Sequence, residues 1–307
     1  MSNALSEFEN CQSSDDSIRL VEMLGVPPKR FSEIVATADE MYCVYPLIKG
    51  KKKRWIEAPR AELKQLQRRL LDSVLYRLVI DESAHGFVPG RSIVTNARRH
   101  CGRAWVVTMD IRDFFPSIGA KRVDRQLARL PLTGADRENL VRLVTRNGRL
   151  PQGAPTSPHL ANLVSRRLDL RLKRLAHVTG WNYSRYADDL AFSGEGEPKK
   201  LIPIVEQIVI DEGFQPARQK THVMSQHQRQ VVTGLVVNDK LALPRPKRRL
   251  LRAMLHRLRS TNRNSVSLPE VQIIHGHLAL AALVDPEGYR LTCRQVAELV
   301  ENKYDYT

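Results

Sequence analysis

The chain has 307 residues, and its 49 Lys+Arg against 33 Asp+Glu leave a formal charge of +16, an excess that points to a polyanionic partner, with nucleic acid ahead of an acidic membrane surface. At 42% hydrophobic and 27% charged the composition is that of a globular chain with a real core, which excludes wholesale disorder. No stretch approaches the roughly 18 apolar residues of a membrane span, and the acidic start with Glu7, Glu9, Asp15 and Asp16 is unlike a secretory signal.

In chain order, a polar leader runs to about residue 16, and residues 1–40 read as an N-terminal helical leader. Tyr42 to Ile56 predicts short strands joined by the basic turn Lys49-Gly50-Lys51-Lys52-Lys53-Arg54. Pro59 then opens a helix carrying Leu63, Leu66, Leu70, Val74 and Leu78 on one stripe. His85 to Gly90 is rich in turn residues. Ala104 to Ile111 is an apolar run of strand length with Asp110 near its end. Two helices follow, about 121–130 and 135–146, the second closed by Gly148. Pro151 to Pro158 is a loop, with Ser157-Pro158 as N-cap and first residue of a helix to about Val178.

Tyr183 to Ser193 predicts a hairpin around Ala187-Asp188-Asp189. A helix over 199–212 and strands at 222–224 and 231–237 complete a βαββαβ-like α+β pattern. From Lys240 to Pro269 nine Lys+Arg stand with no acid, and helices at about 247–259, 268–283 and 291–304 form a basic helical lobe. The cysteines, Cys11, Cys43, Cys101 and Cys293, are spaced neither as a zinc pair nor as a disulfide framework, which fits a reducing cytoplasm.

Asp188 and Asp189 are adjacent carboxylates in a tight turn between apolar strands. Like charges side by side repel, and partial burial raises the cost of ionising them unless a cation is supplied. A bare Asp-Asp is also an ordinary solvated turn. Asp110 shifts that balance, because it ends another apolar strand 78 residues upstream of Asp188. If the two strands are neighbours in one sheet, the acids can hold two hard divalent ions, Mg²⁺ or Mn²⁺, the arrangement of in-line phosphoryl transfer.

Three strings carry a family resemblance. Asp110-Ile111-Arg112-Asp113-Phe114-Phe115-Pro116-Ser117-Ile118, Leu150-Pro151-Gln152-Gly153-Ala154-Pro155-Thr156-Ser157-Pro158 and Tyr186-Ala187-Asp188-Asp189 resemble, in order, three catalytic motifs of reverse transcriptases. Arg54 to Gln67 resembles the fingers motif, Gly213-Phe214 through Lys220 the motif with a lysine near the triphosphate, and Val231 to Asn238 the primer grip. Asn96-Ala97-Arg98-Arg99-His100 and Val232-Thr233-Gly234 are similar to two signatures of the retron subgroup. The resemblance covers about residues 40–240 well.

It implies a right-hand polymerase, with fingers and palm over 41–239, the palm a βαββαβ-like antiparallel sheet, and a helical basic thumb over 240–307. By the same resemblance Asp110 and Asp188 are metal ligands, with the Ile111 carbonyl contributing, and Asp189 supports the site. Arg54, Phe115, Gln152, Gly153 and Lys220 would meet the deoxynucleoside triphosphate. Phe115 would lie under the sugar and leave no room for a 2′-hydroxyl, and Lys220 would serve the departing pyrophosphate as a general acid. Asn96, His100, Val232, Thr233 and Gly234 are expected at the RNA, together with Lys247, Arg248, Arg249 and Arg252 of the thumb.

The implied activity is RNA-directed DNA synthesis on a structured noncoding RNA, primed from a guanosine 2′-hydroxyl and leaving a branched RNA–DNA product. Such systems are associated with antiphage defence and with a separate effector protein. Two rivals stay open: a group II intron or diversity-generating reverse transcriptase, and a nucleic-acid-binding scaffold without turnover, against which the crowded acids speak.

Overall fold

The computed structural model describes residues 20–50, 52–260 and 267–304. The polar leader, Cys11 and Lys51 lie outside them. The described residues begin with α1 (Leu20–Leu24), α2 (Pro28–Ala36), the strands β1 (Tyr42–Lys49) and β2 (Lys52–Pro59), then α3 (Ala61–Ser73) and α4 (Ile93–Arg98). There follow β3 (Trp105–Asp110), α5 (Ala120–Leu127), α6 (Gly134–Val144), α7 (Ser157–Val164) and α8 (Arg166–Thr179). Next are β4 (Trp181–Tyr186), β5 (Asp189–Gly194), α9 (Pro198–Asp211), β6 (His222–Ser225), β7 (Val231–Val232) and β8 (Leu235–Val236). The last elements are α10 (Arg245–Ser260), α11 (Leu268–Val284) and α12 (Pro286–Tyr304).

These elements fall into two compact units. One holds the chain up to Val88, Ile111–Arg171 and Glu206–Pro216; the other holds Pro89–Asp110, Leu172–Val205 and the chain from Ala217 onward.

The first unit is the β1–β2 hairpin with helices around an apolar core. Apolar spacing puts Leu63, Leu66 and Leu70 of α3 on one buried face beside Leu20 and Leu24 of α1 and Leu140 and Leu143 of α6. The hairpin pairs in register from Tyr42↔Pro59 to Lys49↔Lys52. Pro59 is therefore the last strand residue and not the opening of a helix; lacking an N–H, it is tolerated at a strand end, and α3 starts at Ala61. The helix stops at Ser73, so Val74 is buried from a non-helical position and Leu78 is extended.

Two further expectations change here. Gly148 does not cap α6, which ends at Val144. Asn147 (φ 48°) and Gly148 (φ 71°) instead form the two central residues of a hairpin turn, closed by Arg146 N–H donating to Arg149 O and Arg149 N–H to Arg146 O. Asn-Gly is the pair that turn selects, because both residues must accept positive φ. The helix expected from Ser157 to Val178 is two helices, interrupted at Ser165 where ψ is −2°. Ser157 does not cap it, since its hydroxyl donates to Pro151 O at 2.8 Å.

The second unit is built on a four-stranded antiparallel sheet of order β4-β5-β3-β6, the arrangement the βαββαβ pattern predicts. Val106, Ala191, Val232, Leu235 and Val237 form one buried cluster with Leu251 and Leu258 of α10 and Ile274 and Leu278 of α11. The single strand expected over 231–237 is a pair, β7 and β8, around Thr233 (φ 46°) and Gly234 (φ 79°), again the two-residue turn that takes positive φ twice. No helix among the described residues is long and apolar enough to cross a membrane.

Candidate active site

Sheet register brings the acids together. Asp110, last residue of β3, is the antiparallel partner of Asp189, first residue of β5. Asp189 also pairs with Tyr186 at the end of β4, so Ala187 and Asp188 are the whole connection between β4 and β5. Ala187 has φ 57°, a left-handed conformation that costs a non-glycine residue roughly 1 kcal/mol or more. Arg185 holds this strained turn. Its side chain is fully buried, and Nη1 donates to the Ala187 carbonyl at 3.0 Å. Asp188 is half-buried and Asp189 exposed, so the carboxylates sit at the rim of the sheet.

A lysine answers Asp110. Ala217 N–H donates to the Asp110 carbonyl at 2.7 Å, and a single 3₁₀ turn, Arg218–Lys220, follows. That tether carries Lys220 Nζ to 2.6 Å from Asp110 Oδ1, a charge-assisted hydrogen bond to a carboxylate with little exposure. Among the described residues no three His, Cys, Asp or Glu form a ready metal cage. The donors present are hard carboxylate oxygens on adjoining strand ends, and they fit Mg²⁺ or Mn²⁺ in a site that draws its other oxygens from phosphate and water.

The remaining nucleotide-site candidates belong to the first unit. Phe114 and Phe115 divide their work: Phe114 is buried and packs on Phe214 at 5.8 Å, while Phe115 is half-buried, 6.3 Å from the Phe87 ring. Arg122 stacks over Phe214 at 4.1 Å and anchors the Gly213-Phe214 string from which the chain runs on to Lys220. Ile111 is buried and bridges Pro216. Gly153 has φ 144°, and a Cβ there would stand 2.8 Å from the Glu57 carbonyl oxygen, so only glycine fits. Gln152 is half-buried and Arg54 is exposed on β2 opposite Leu47.

Several residues expected at RNA lie inside the second unit. His100 is fully buried, with Nδ1 2.8 Å from Ser193 Oγ and Nε2 2.7 Å from Ser184 Oγ. Asn96 and Val232 are buried as well. These three buried side chains have next to no surface to offer a nucleic acid. Thr233 fixes the β7–β8 hairpin through Oγ1, which donates to Ile93 O at 3.0 Å, and Gly234 is exposed at its tip. Lys247, Arg248, Arg249 and Arg252 are exposed on α10, whose other side buries Leu251 and Leu258. Sequence reasoning passed over Arg185 and Glu57; Arg185 is the one charged residue of β4 and Glu57 the one acid of the basic strand β2, a signal available beforehand.

An antiparallel sheet of this order with acids at the β3 end and in the β4–β5 turn is the palm of a right-hand polymerase. The family model of reverse transcriptase (RNA-dependent DNA polymerase) matches residues 48–237. The chain is 42% identical over 223 residues to the retron Mx65 reverse transcriptase of Myxococcus xanthus, covering 66% of this chain and 52% of that one. It is 38% identical over 285 residues to the retron Mx162 reverse transcriptase of the same organism (80% and 58%) and 32% identical over 277 to the retron Ec86 reverse transcriptase of Escherichia coli (88% and 85%). The chain thus spans little more than half the length of the two Myxococcus relatives. Among solved structures, a foamy viral protease-reverse transcriptase in complex with double-stranded DNA shares the fold, with a TM-score of 0.51 at 16% identity over 85% of this chain and 39% of that one. The chain belongs to the reverse transcriptase family, among its retron-type members.

Proposed function

We propose that the chain is an RNA-directed DNA polymerase that copies a structured noncoding RNA into single-stranded DNA, starting from a 2′-hydroxyl of that RNA and leaving a branched RNA–DNA product. The observation that carries the reading is the register pair Asp110↔Asp189 beside the Asp188 turn, with Lys220 on Asp110. When bound, two divalent ions, Mg²⁺ with Mn²⁺ able to substitute, would supply Lewis-acid charge at the attacking hydroxyl and at the departing pyrophosphate. Asp110 and Asp188 would hold them, with the Ile111 carbonyl. Lys220, tethered by its short turn, would leave Asp110 and give a proton to the leaving group.

Arg54 is a fork-shaped donor suited to triphosphate oxygens, Gln152 and Gly153 offer backbone and amide to the incoming nucleotide, and Phe115 excludes a 2′-hydroxyl. The exposed cations of α10 suit duplex phosphates. In this reading fingers and palm occupy 41–239 and the thumb 240–307, in a cytoplasmic protein that serves antiphage defence with a separate effector. The test is synthesis by the purified protein with its co-purifying RNA, Mg²⁺ and deoxynucleotides. Asp188→Asn should abolish synthesis with RNA affinity kept; undiminished synthesis removes Asp188 from the chemistry. Sequencing the product for a branch tests the priming.

A further inference from the structure

Glu57 is a buried acid of the first unit to which the nucleotide site gives no role. Glu57 lies on β2 three residues beyond Arg54, its side chain 8% exposed, in a position where an unpaired carboxylate would be costly. Its Oε1 accepts a hydrogen bond from Arg146 Nη1, and Arg149 Nη2 is 3.7 Å away. The Arg146 guanidinium also lies over the Tyr42 ring, 5.6 Å from its centroid. Tyr42 is held in turn by Gln67, whose Nε2 donates to the Tyr42 hydroxyl at 2.9 Å and to Leu143 O at 2.7 Å. Burial pushes the Tyr42 hydroxyl up to about 12, so it remains a neutral member of the network at working pH.

The backbone of the same residue grips the same segment further along. Glu57 N–H donates to Gln152 O at 2.9 Å, and Gly153 lies so close that a Cβ would be 2.8 Å from Glu57 O and 3.1 Å from Ile56 Cγ2. The Asn147-Gly148 turn connects the two arginines that meet the Glu57 side chain, and the chain runs directly from Arg149 to Gln152. Side chain and main chain of Glu57 therefore fasten residues 146–153 to β2 at two points. Either point alone would leave the loop free to pivot.

We propose that Glu57 is a positioning residue: its ion pair with Arg146 locks the Gln152–Gly153 loop to the strand that carries Arg54, so the two sets of contacts to an incoming deoxynucleotide form one rigid piece. This rests on the nucleotide-binding reading of Arg54, Gln152 and Gly153. Preorganisation of this kind acts on binding of the nucleotide, and small misplacements cost heavily.

The experiment is single-nucleotide incorporation on a preformed RNA template with a DNA primer, with melting temperature and burst amplitude measured on the same samples. Glu57→Gln should raise the KM for deoxynucleotide roughly ten- to a hundredfold, with kcat at saturation and template–primer affinity little changed. Arg146→Lys, which keeps the charge and loses the fork, should show a smaller rise of the same kind, and it carries the test if Glu57→Gln folds poorly. A merely structural role would lower burst amplitude and melting temperature and leave KM where it was. That result, with the unaltered chain active, overturns this proposal alone. No incorporation by the unaltered chain overturns the polymerase reading and this proposal with it.

Discussion

His100 separates two accounts of its signature, contact with RNA and construction of the palm. The ring is fully buried, and its two nitrogens engage Ser184 on β4 and Ser193 on β5, so one side chain joins the end of α4 to two strands of the sheet. His100→Ala takes the ring partner from two buried hydroxyls, leaving Ser193 Oγ only its long 3.5 Å hydrogen bond from Asn182 Nδ2, at about 1–3 kcal/mol each, and the void left by the ring adds on the order of 1–2 kcal/mol. A loss of about 3–8 kcal/mol is expected, a large part of a typical domain's total stability. His100→Phe keeps most of the volume and isolates the hydroxyl cost, so it should lose about 2–6 kcal/mol. Urea unfolding followed by fluorescence gives these differences, while RNA titration corrected for the folded fraction gives the affinity. The expected outcome is lower stability with RNA affinity per folded molecule unchanged. Full stability with weakened RNA binding would refute the buried bridge.

Phe115→Ala should admit ribonucleotides, and the ratio of deoxy- to ribonucleotide efficiency should fall about tenfold or more; a variant as selective as the parent shows that the ring is not the gate. Neutralising Arg248, Arg249 and Arg252 together should reduce the slope of log affinity against log salt by roughly two to three, and an unaltered slope takes α10 out of the interface. His159 is buried in the first unit with Tyr76 edge-on at 5.2 Å, and burial lowers its pKa below the ordinary 6.5. The unfolded chain therefore takes up this proton first, so the contribution of the neutral ring is full above about pH 6.5 and is lost as pH falls toward the depressed folded value. His159→Gln should flatten the acid side of the stability curve, read by denaturant midpoints between pH 7.5 and 5; an identical curve would mean that the ring does not titrate with unfolding.

What the sequence determined by itself was whatever depends on neighbours along the chain. Apolar alternation and spacing located the strands of the palm and the three basic-lobe helices, and the Asp110 and Asp188-Asp189 strings marked the acids that the sheet brings together, because period and residue type are local. The Asn147-Gly148 and Thr233-Gly234 turns were equally local and were misread, since a glycine after a helical run satisfies a cap as well as a hairpin and a short apolar run reads as one strand or two, and only strand pairing distinguishes them.

Tertiary structure decided the rest. It set Asp110 against Asp189 by register, brought Lys220 to Asp110 across 110 positions of sequence, took His100 and Asn96 out of reach of solvent, and gave Glu57 its two arginines. Charge and polarity are the same letters whether a side chain meets water or a buried partner. Which of the two it meets follows from packing between segments far apart in the chain, and no local pattern records that.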